Sequence, residues 1–131
     1  MHLSVIIPAY NESERIGKTL ESVNDYLSRQ PYDYEVIVVN DGSTDNTAEV
    51  VKSYQGMMPY LTLLNNKNNS GKGGVVRQGM MLAHGEYRLF MDADNSTTID
   101  HIEKMLPYLD QGYDIAVSSR RIKGAELTLD Q

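Results

Sequence analysis

Two aspartates one residue apart, Asp92 and Asp94, close the apolar run LFMDAD at 89–94. On an extended segment residues i and i+2 face the same side, so the two carboxylates point together. Like charges that close repel unless one takes up a proton, solvent screens both, or a cation binds. Oxygen-only donors suit Mg2+ or Mn2+. Magnesium commonly takes one or two protein carboxylates and completes its shell from phosphate and water. An isolated D-A-D is more often a solvated surface turn, so the company the pair keeps must decide.

Other residues with chemical reach recur along the chain, and each also has an ordinary structural reading. Pro8, Ala9, Tyr10, Asn11 and Glu12 follow an apolar run. Tyr10 either packs a loop or stacks on a flat ring. By spacing alone, Glu12 is a first-turn helix residue favoured by the helix dipole. Asp41 ends a second run, where a carboxylate can accept hydrogen bonds from a base or ribose. The residues after it, GSTD, read as a turn in which Ser43 or Thr44 caps a helix. NNSGKGG, with Gly71 and Lys72, suggests a phosphate loop, yet Asn66 stands where the Walker pattern needs its first glycine and Gly73 follows the lysine. It also fails the dinucleotide fingerprint, because Val76 replaces the last glycine. A flexible glycine loop opening a helix remains, and such a loop can approach a phosphate closely.

The elements that must position these residues alternate. Continuous apolar, β-branched runs at 3–9, 35–41 and 61–66 predict strands, as do 87–94 and 114–120. Between them lie helix patterns. At 13–30, Ile16, Leu20, Val23 and Leu27 share a face, with Ser13 as a candidate cap; 43–54 follows the capping cluster. The segment 71–85 is predicted helical from about Gly73, with Val75, Val76, Met80 and Ala83 on its apolar face. A last helix spans 98–112, and Pro107 kinks or breaks it near its end. Alternation of this kind predicts an α/β fold in one domain, with a mostly parallel central sheet and helices on both faces. Right-handed crossovers bring all strand C-terminal ends to one edge, where open α/β sheets bind ligands. Every predicted strand ends there in polar or charged residues, including Ser118–Arg121, while the opposite ends carry less chemistry. That convergence favours a polar ligand site and a cation on the aspartate pair.

Composition narrows the function classes. The chain has 131 residues, 40% of them hydrophobic and 23% charged, a balance suited to one domain with a real core. A net charge of −6 argues against a broad nucleic-acid surface. There is no cysteine, which excludes structural disulfides and thiolate-bound zinc and is compatible with a reducing compartment. The N-terminus has neither a signal peptide's basic region nor a membrane-length apolar run. N-x-S/T matches at Asn11, Asn68 and Asn95 are read as chance. His2, His84 and His101 form no cluster. The methionines Met57, Met58, Met80, Met81, Met91 and Met105 are expected in the core or on helix faces.

SVIIPAYNE, EVIVVNDGSTDNT, NNSGKGGVVRQGM, FMDAD and VSSR, in this order, resemble family 2 of the glycosyltransferases, which have the GT-A (Rossmann-like) fold. The similarity covers nearly the whole chain and is greatest to the dolichyl- or polyprenyl-phosphate glucosyl- and mannosyltransferase group. The resemblance implies a nucleotide pocket lined by Pro8, Ala9, Tyr10 and Glu12, with Asp41 gripping the base and Gly71 and Lys72 near the nucleotide. It implies Asp92 and Ala93 near the ribose or the metal's water shell, Asp94 ligating Mg2+ or Mn2+ between the phosphates, and Arg120 facing the diphosphate or the acceptor. Mannosyl-type relatives often carry glutamine where this chain has Ser96; the resemblance implies Ser96 as a third metal ligand, poorer than glutamine, and DADNST is more similar to the glucosyl-type branch.

The implied reaction is inverting transfer of a hexose from UDP-glucose or GDP-mannose to a polyprenyl phosphate at a membrane surface, with no general base needed because the acceptor is already anionic. A saccharide acceptor and a non-catalytic nucleotide-sugar-binding fragment or partner subunit stay open, as does activity of this chain alone. Relatives continue past the VSSR strand, so the acceptor-binding part is expected to be mostly missing from this chain. The remaining expectations are a cytoplasmic protein peripheral to the membrane, no nucleic-acid partner, and a homodimer if the unfinished sheet edge pairs.

Overall fold

The computed structural model describes residues 2–94, residue 99 and the backbone of 115–118; the Lys72 side chain lies outside that description. The elements in chain order are β1 (Leu3–Ala9), α1 (Ile16–Leu27), β2 (Tyr34–Asp41), α2 (Thr47–Gln55), β3 (Leu61–Asn66), α3 (Gly71–Leu82), β4 (Tyr87–Met91) and β5 (Ile115–Ser118). The predicted helix at 98–112, with Pro107, falls outside the described residues.

The five strands form one sheet in the order β3-β2-β1-β4-β5, with every neighbouring pair parallel. Strands are added outward from β1 through β2 to β3, and the chain then crosses back to place β4 on the other side of β1. A crevice therefore opens at the C-terminal ends of β1 and β4, where the direction of winding reverses.

Alternation along β1 divides the core. Leu3, Val5 and Ile7 pack with Ile16, Leu20, Val23 and Leu27 of α1 and Val51 of α2 on one face. Ile6 packs with Ile37, Val39, Val75 and Ala83 on the face covered by α3. All four residues of the predicted α1 stripe are fully buried. Both faces of β1 and β2 are thus covered, which is why these strands read as unbroken apolar runs. Among the methionines, Met58 and Met91 are buried, whereas Met57 and Met81 are exposed.

The predicted caps are not made. The α1 helix begins at Ile16 after Arg15 rather than at a Ser13 cap, and neither Arg15 nor Asn46, which precedes α2, makes a side-chain cap bond. The hydroxyl of Ser43 instead accepts the Asn11 N–H at 2.9 Å, and Thr44 N–H donates to Asn11 Oδ1 at 2.8 Å. At the start of α2 it is Asp45 Oδ1 that accepts the Thr47 N–H, at 3.0 Å.

At the N-terminal edge of the sheet, a buried polar knot ties three segments together. Ser4 Oγ donates to Glu35 Oε2 at 2.6 Å, His84 N–H donates to the same oxygen at 2.6 Å, and Gly85 N–H donates to Ser4 Oγ at 2.8 Å. A Cβ on Gly85 would lie 2.6 Å from the Ser4 nitrogen, so this close approach requires glycine.

Candidate functional site

The crevice between the ends of β1 and β4 is a pocket of about 250 Å³. Pro8, Ala9, Tyr10 and Glu12 line it from β1 and the turn after it; Asp92, Ala93 and Asp94 line it from the turn after β4. Asp41, Asn69, Gly71 and Val75 close it on the α3 side. The structure therefore brings together nine of the sequence-predicted residues: Pro8, Ala9, Tyr10, Glu12, Asp41, Gly71, Asp92, Ala93 and Asp94. Ser96, Arg120 and the Lys72 side chain lie outside the described residues. Asn69 and Val75 were not anticipated, although Asn69 belongs to the glycine loop and Val75 to the apolar face of α3.

The strand predicted over 87–94 stops short of the aspartate pair, which lies in the turn after it. Pairing of β4 with β1 ends at Ile6↔Phe90 and β4 itself at Met91. Beyond it the Ala93 carbonyl accepts a 2.5 Å hydrogen bond from Thr19 Oγ1 of α1. Ala93 is thereby buried at 3% exposure, with a pocket-lining carboxylate on either side of it.

Glu12 approaches from the facing turn. Its N–H donates to Thr47 Oγ1 at 3.0 Å, and its Oε1 lies 2.6 Å from the Arg15 guanidinium. Burial pushes the Glu12 carboxyl above the usual range; Arg15 pulls it back, while the negative charges of Asp94 and Asp45 add to the rise. The charge of Asp94 thus acts on Glu12 across the crevice, which four acidic residues line: Glu12, Asp41, Asp92 and Asp94. The preceding residue, Asn11, has φ 53, in the left-handed region that asparagine tolerates better than most residues. That conformation turns the chain sharply from β1 into the crevice.

Asp41 is only 4% exposed and is engaged by the loop before α3. Its Oδ1 accepts from Ser70 Oγ at 2.8 Å, Ser70 N–H at 2.9 Å and Asn66 Nδ2 at 3.1 Å. Its Oδ2 accepts from the N–H groups of Ser70 and Gly71, both at 3.0 Å. Burial pushes this carboxyl up, but the donors of Ser70, Asn66 and Gly71 outweigh burial and hold it below the usual range. The carboxylate also sits at the positive end of α3, where a negative charge is favoured. Gly42, at φ 74, lets the loop pass close by: a Cβ there would lie 2.8 Å from the Asn68 carbonyl carbon and the Asn69 nitrogen. Tyr10, which also lines the pocket, is 46% exposed, and an aromatic ring in such a place can stack on a flat ligand.

Carboxylates such as Asp92 and Asp94 are oxygen donors of the kind a hard divalent cation prefers. Among the described residues, no three His, Cys, Asp or Glu side chains gather into a metal-holding group. Asp92 and Asp94 offer carboxylate oxygens on one open crevice, as suits an ion that draws its remaining ligands from phosphate and water. Among the described residues, no helix is long and apolar enough to cross a membrane.

Comparison with known proteins gives the family and the fold. The family model for glycosyl transferase family 2 matches residues 4–131. A dolichyl-phosphate beta-glucosyltransferase of Trichomonas vaginalis is 43% identical over 110 residues, covering 80% of this chain and 33% of the relative. The Homo sapiens dolichyl-phosphate beta-glucosyltransferase is 36% identical over 113 residues, covering 79% and 34%. This chain thus spans about a third of the length of the curated relatives it matches. Among solved structures, the mannosyltransferase PcManGT of Pyrobaculum calidifontis, in complex with GDP-Man and Mn2+, superposes with a TM-score of 0.73 at 28% identity, covering 86% of this chain and 33% of that one. S. aureus TarS 1–349 in complex with UDP-GlcNAc superposes with a TM-score of 0.68 at 31% identity, covering 85% and 32%.

Proposed function

The chain belongs to glycosyl transferase family 2, with a GT-A-like fold and kinship to dolichyl-phosphate glucosyltransferases, and from that membership we propose that its crevice binds the donor of a hexosyl transfer. The donor is a nucleotide diphosphate hexose, UDP-glucose ahead of GDP-mannose, and the acceptor is a polyprenyl phosphate. The convergence of Glu12, Asp92 and Asp94 on one pocket at the β1/β4 reversal carries this reading. The names of the glucosyltransferase relatives support the sugar and the acceptor.

In this reading Tyr10 and Pro8 flank the base, and Asp41 forms the wall of the base end while holding the Ser70–Gly71 turn. Asp92 and Ala93 lie along the ribose, and Asp94 faces the diphosphate. A divalent cation, Mg2+ or Mn2+, held by Asp92 and Asp94 would supply charge stabilisation to the departing diphosphate. Such preorganised charge, aimed at where negative charge develops, is commonly the largest contribution to catalysis. Lys72 and Arg120 are proposed as the basic side chains near the phosphates.

An oxygen of the acceptor phosphate attacks the anomeric carbon from the face opposite the leaving group. The bond from that carbon to the diphosphate oxygen breaks, and the nucleoside diphosphate departs with the electron pair. The configuration inverts. A phosphate is anionic near neutral pH, so the attacking oxygen has no proton to lose and the site needs no general base.

Transfer of radiolabelled glucose from UDP-glucose to a short polyprenyl phosphate tests the reading. Labelled lipid formed only with Mg2+ or Mn2+ supports it. UDP-glucose binding without transfer would assign this chain the donor site alone, and absence of binding by any nucleotide sugar would refute the donor assignment.

A further inference from the structure

Two threonines outside the pocket hold its two acidic turns. Thr19 and Thr47 are both fully buried, so neither hydroxyl can reach a ligand in the crevice. Thr47 Oγ1 donates its proton to Asp45 Oδ1, which directs its lone pair at the Glu12 N–H, 3.0 Å away. Asp45 Oδ2 receives the next amide, that of Ser13, at 3.3 Å. On the other side of the crevice, Thr19 Oγ1 donates to the carbonyl of Ala93 at 2.5 Å, between the two aspartates. A hydroxyl proton serves one acceptor at a time, and the Arg15 carbonyl is farther away, at 3.2 Å.

We infer that Thr47 and Thr19 are positioning residues: Thr47, oriented by Asp45, sets the Glu12 turn, and Thr19 sets the Asp92–Asp94 turn, so that the opposed carboxylates are held at the separation the ligand requires. The inference deepens the donor-site reading and rests on it for its ligand. Each threonine lies in or beside a helix packed on the same face of the sheet, so α1 and α2 transmit their packing to the crevice through these two hydroxyls. Neither turn has a strand ladder to fix it, because β1 ends at Ala9 and β4 at Met91. Where groups must converge on reacting atoms, a misplacement of about 1 Å can cost about a hundredfold in rate, and a ligand held by the same groups is sensitive in the same direction.

The test uses isosteric and conservative variants of the 131-residue chain. UDP binding with Mn2+ is measured by calorimetry, and amide hydrogen exchange is read at Glu12. Thr47→Val and Thr19→Val keep the shape and remove the hydroxyl. Each is expected to weaken UDP binding by about tenfold, while Thr47→Ser and Thr19→Ser restore it to near the native value. Thr47→Val should also speed exchange of the Glu12 amide. Folded valine variants that bind UDP as the native chain does, or serine variants that fail to restore binding, would overturn the inference. If the native chain itself shows no UDP binding, the donor-site reading fails, and the Glu12 amide then decides the positioning role of Thr47: faster exchange supports it and unchanged exchange overturns it. If Thr47→Val does not fold, Asp45→Ala replaces it, since Asp45 is exposed and alanine removes the acceptor of the Thr47 hydroxyl. Faster Glu12 exchange in that variant supports the relay, and native exchange refutes it.

Discussion

Asp41 and Glu12 line one pocket, yet their surroundings drive them in opposite directions. The Asp41 carboxylate takes donors from Ser70, Asn66 and Gly71, which outweigh its burial and hold it low. It therefore contributes stability above its unfolded pKa and loses that contribution as the pH falls through its folded one. Asp41→Asn should cost about 1–3 kcal/mol at pH 7, because an amide cannot accept all these donors. The gap from the native protein should close towards acid, and melting curves between pH 7 and pH 3 check this. Glu12 is the reverse case: burial, with Asp94 and Asp45, raises it against the pull of Arg15. The folded state holds the Glu12 proton to higher pH, so ionisation costs stability as the pH rises from the unfolded to the folded pKa. Glu12→Gln should accordingly gain stability relative to the native chain from pH 4 to pH 7 in the same melting series. A relative loss over that range would contradict burial as the dominant influence on Glu12. At this scale much of the lining of the crevice was legible in the sequence, because carboxylates placed after apolar runs need a reason to be there. The saturation of Asp41 was not, since its donors lie 25–30 residues away along the chain. The roles of Ser43 and Thr44 were misread for a similar cause: Asn11, met only in the folded chain, competes for them.

The strands β1 and β2 were readable because both their faces are buried, which leaves no polar interruption. Helix starts were less so. The α2 helix begins at Thr47 rather than near Ser43 because residues 43–45 bind the turn after β1. The α3 helix begins at Gly71, before the predicted Gly73, because Asp41 accepts the first amides. Glycines in α3 also differ in a way that composition conceals. Gly79 faces β1, and a Cβ there would overlap Ile6 Cγ2, whereas a Cβ at Gly73 meets nothing within 4 Å. Gly79→Ala should therefore destabilise by about 1–3 kcal/mol through overpacking. Gly73→Ala should stabilise by about 0.5–1 kcal/mol through helix propensity. Denaturant midpoints of the two variants test this, and shifts of the same sign would contradict the packing of α3 on β1.

For the whole molecule, alternation of strand and helix predicted parallel pairing and a common C-terminal edge. The order β3-β2-β1-β4-β5 was not readable from the sequence, because periodicity does not say on which side of β1 the fourth strand joins. That choice creates the crevice, by setting the turn after β1 beside the turn after β4. It also explains why residues 12 and 94, far apart in the chain, interact electrostatically. Binding of a nucleotide diphosphate in this crevice, through a cation shared by Asp92 and Asp94, is what the proposed function stands on. Calorimetric titration of UDP into the native chain and into Asp94→Ala, with and without Mn2+, puts that binding to the test. Mn2+-dependent binding by the native chain is expected, with its loss in a variant that keeps the native melting transition. Equal UDP affinity in both proteins, or native binding indifferent to Mn2+, would overturn the shared-cation site.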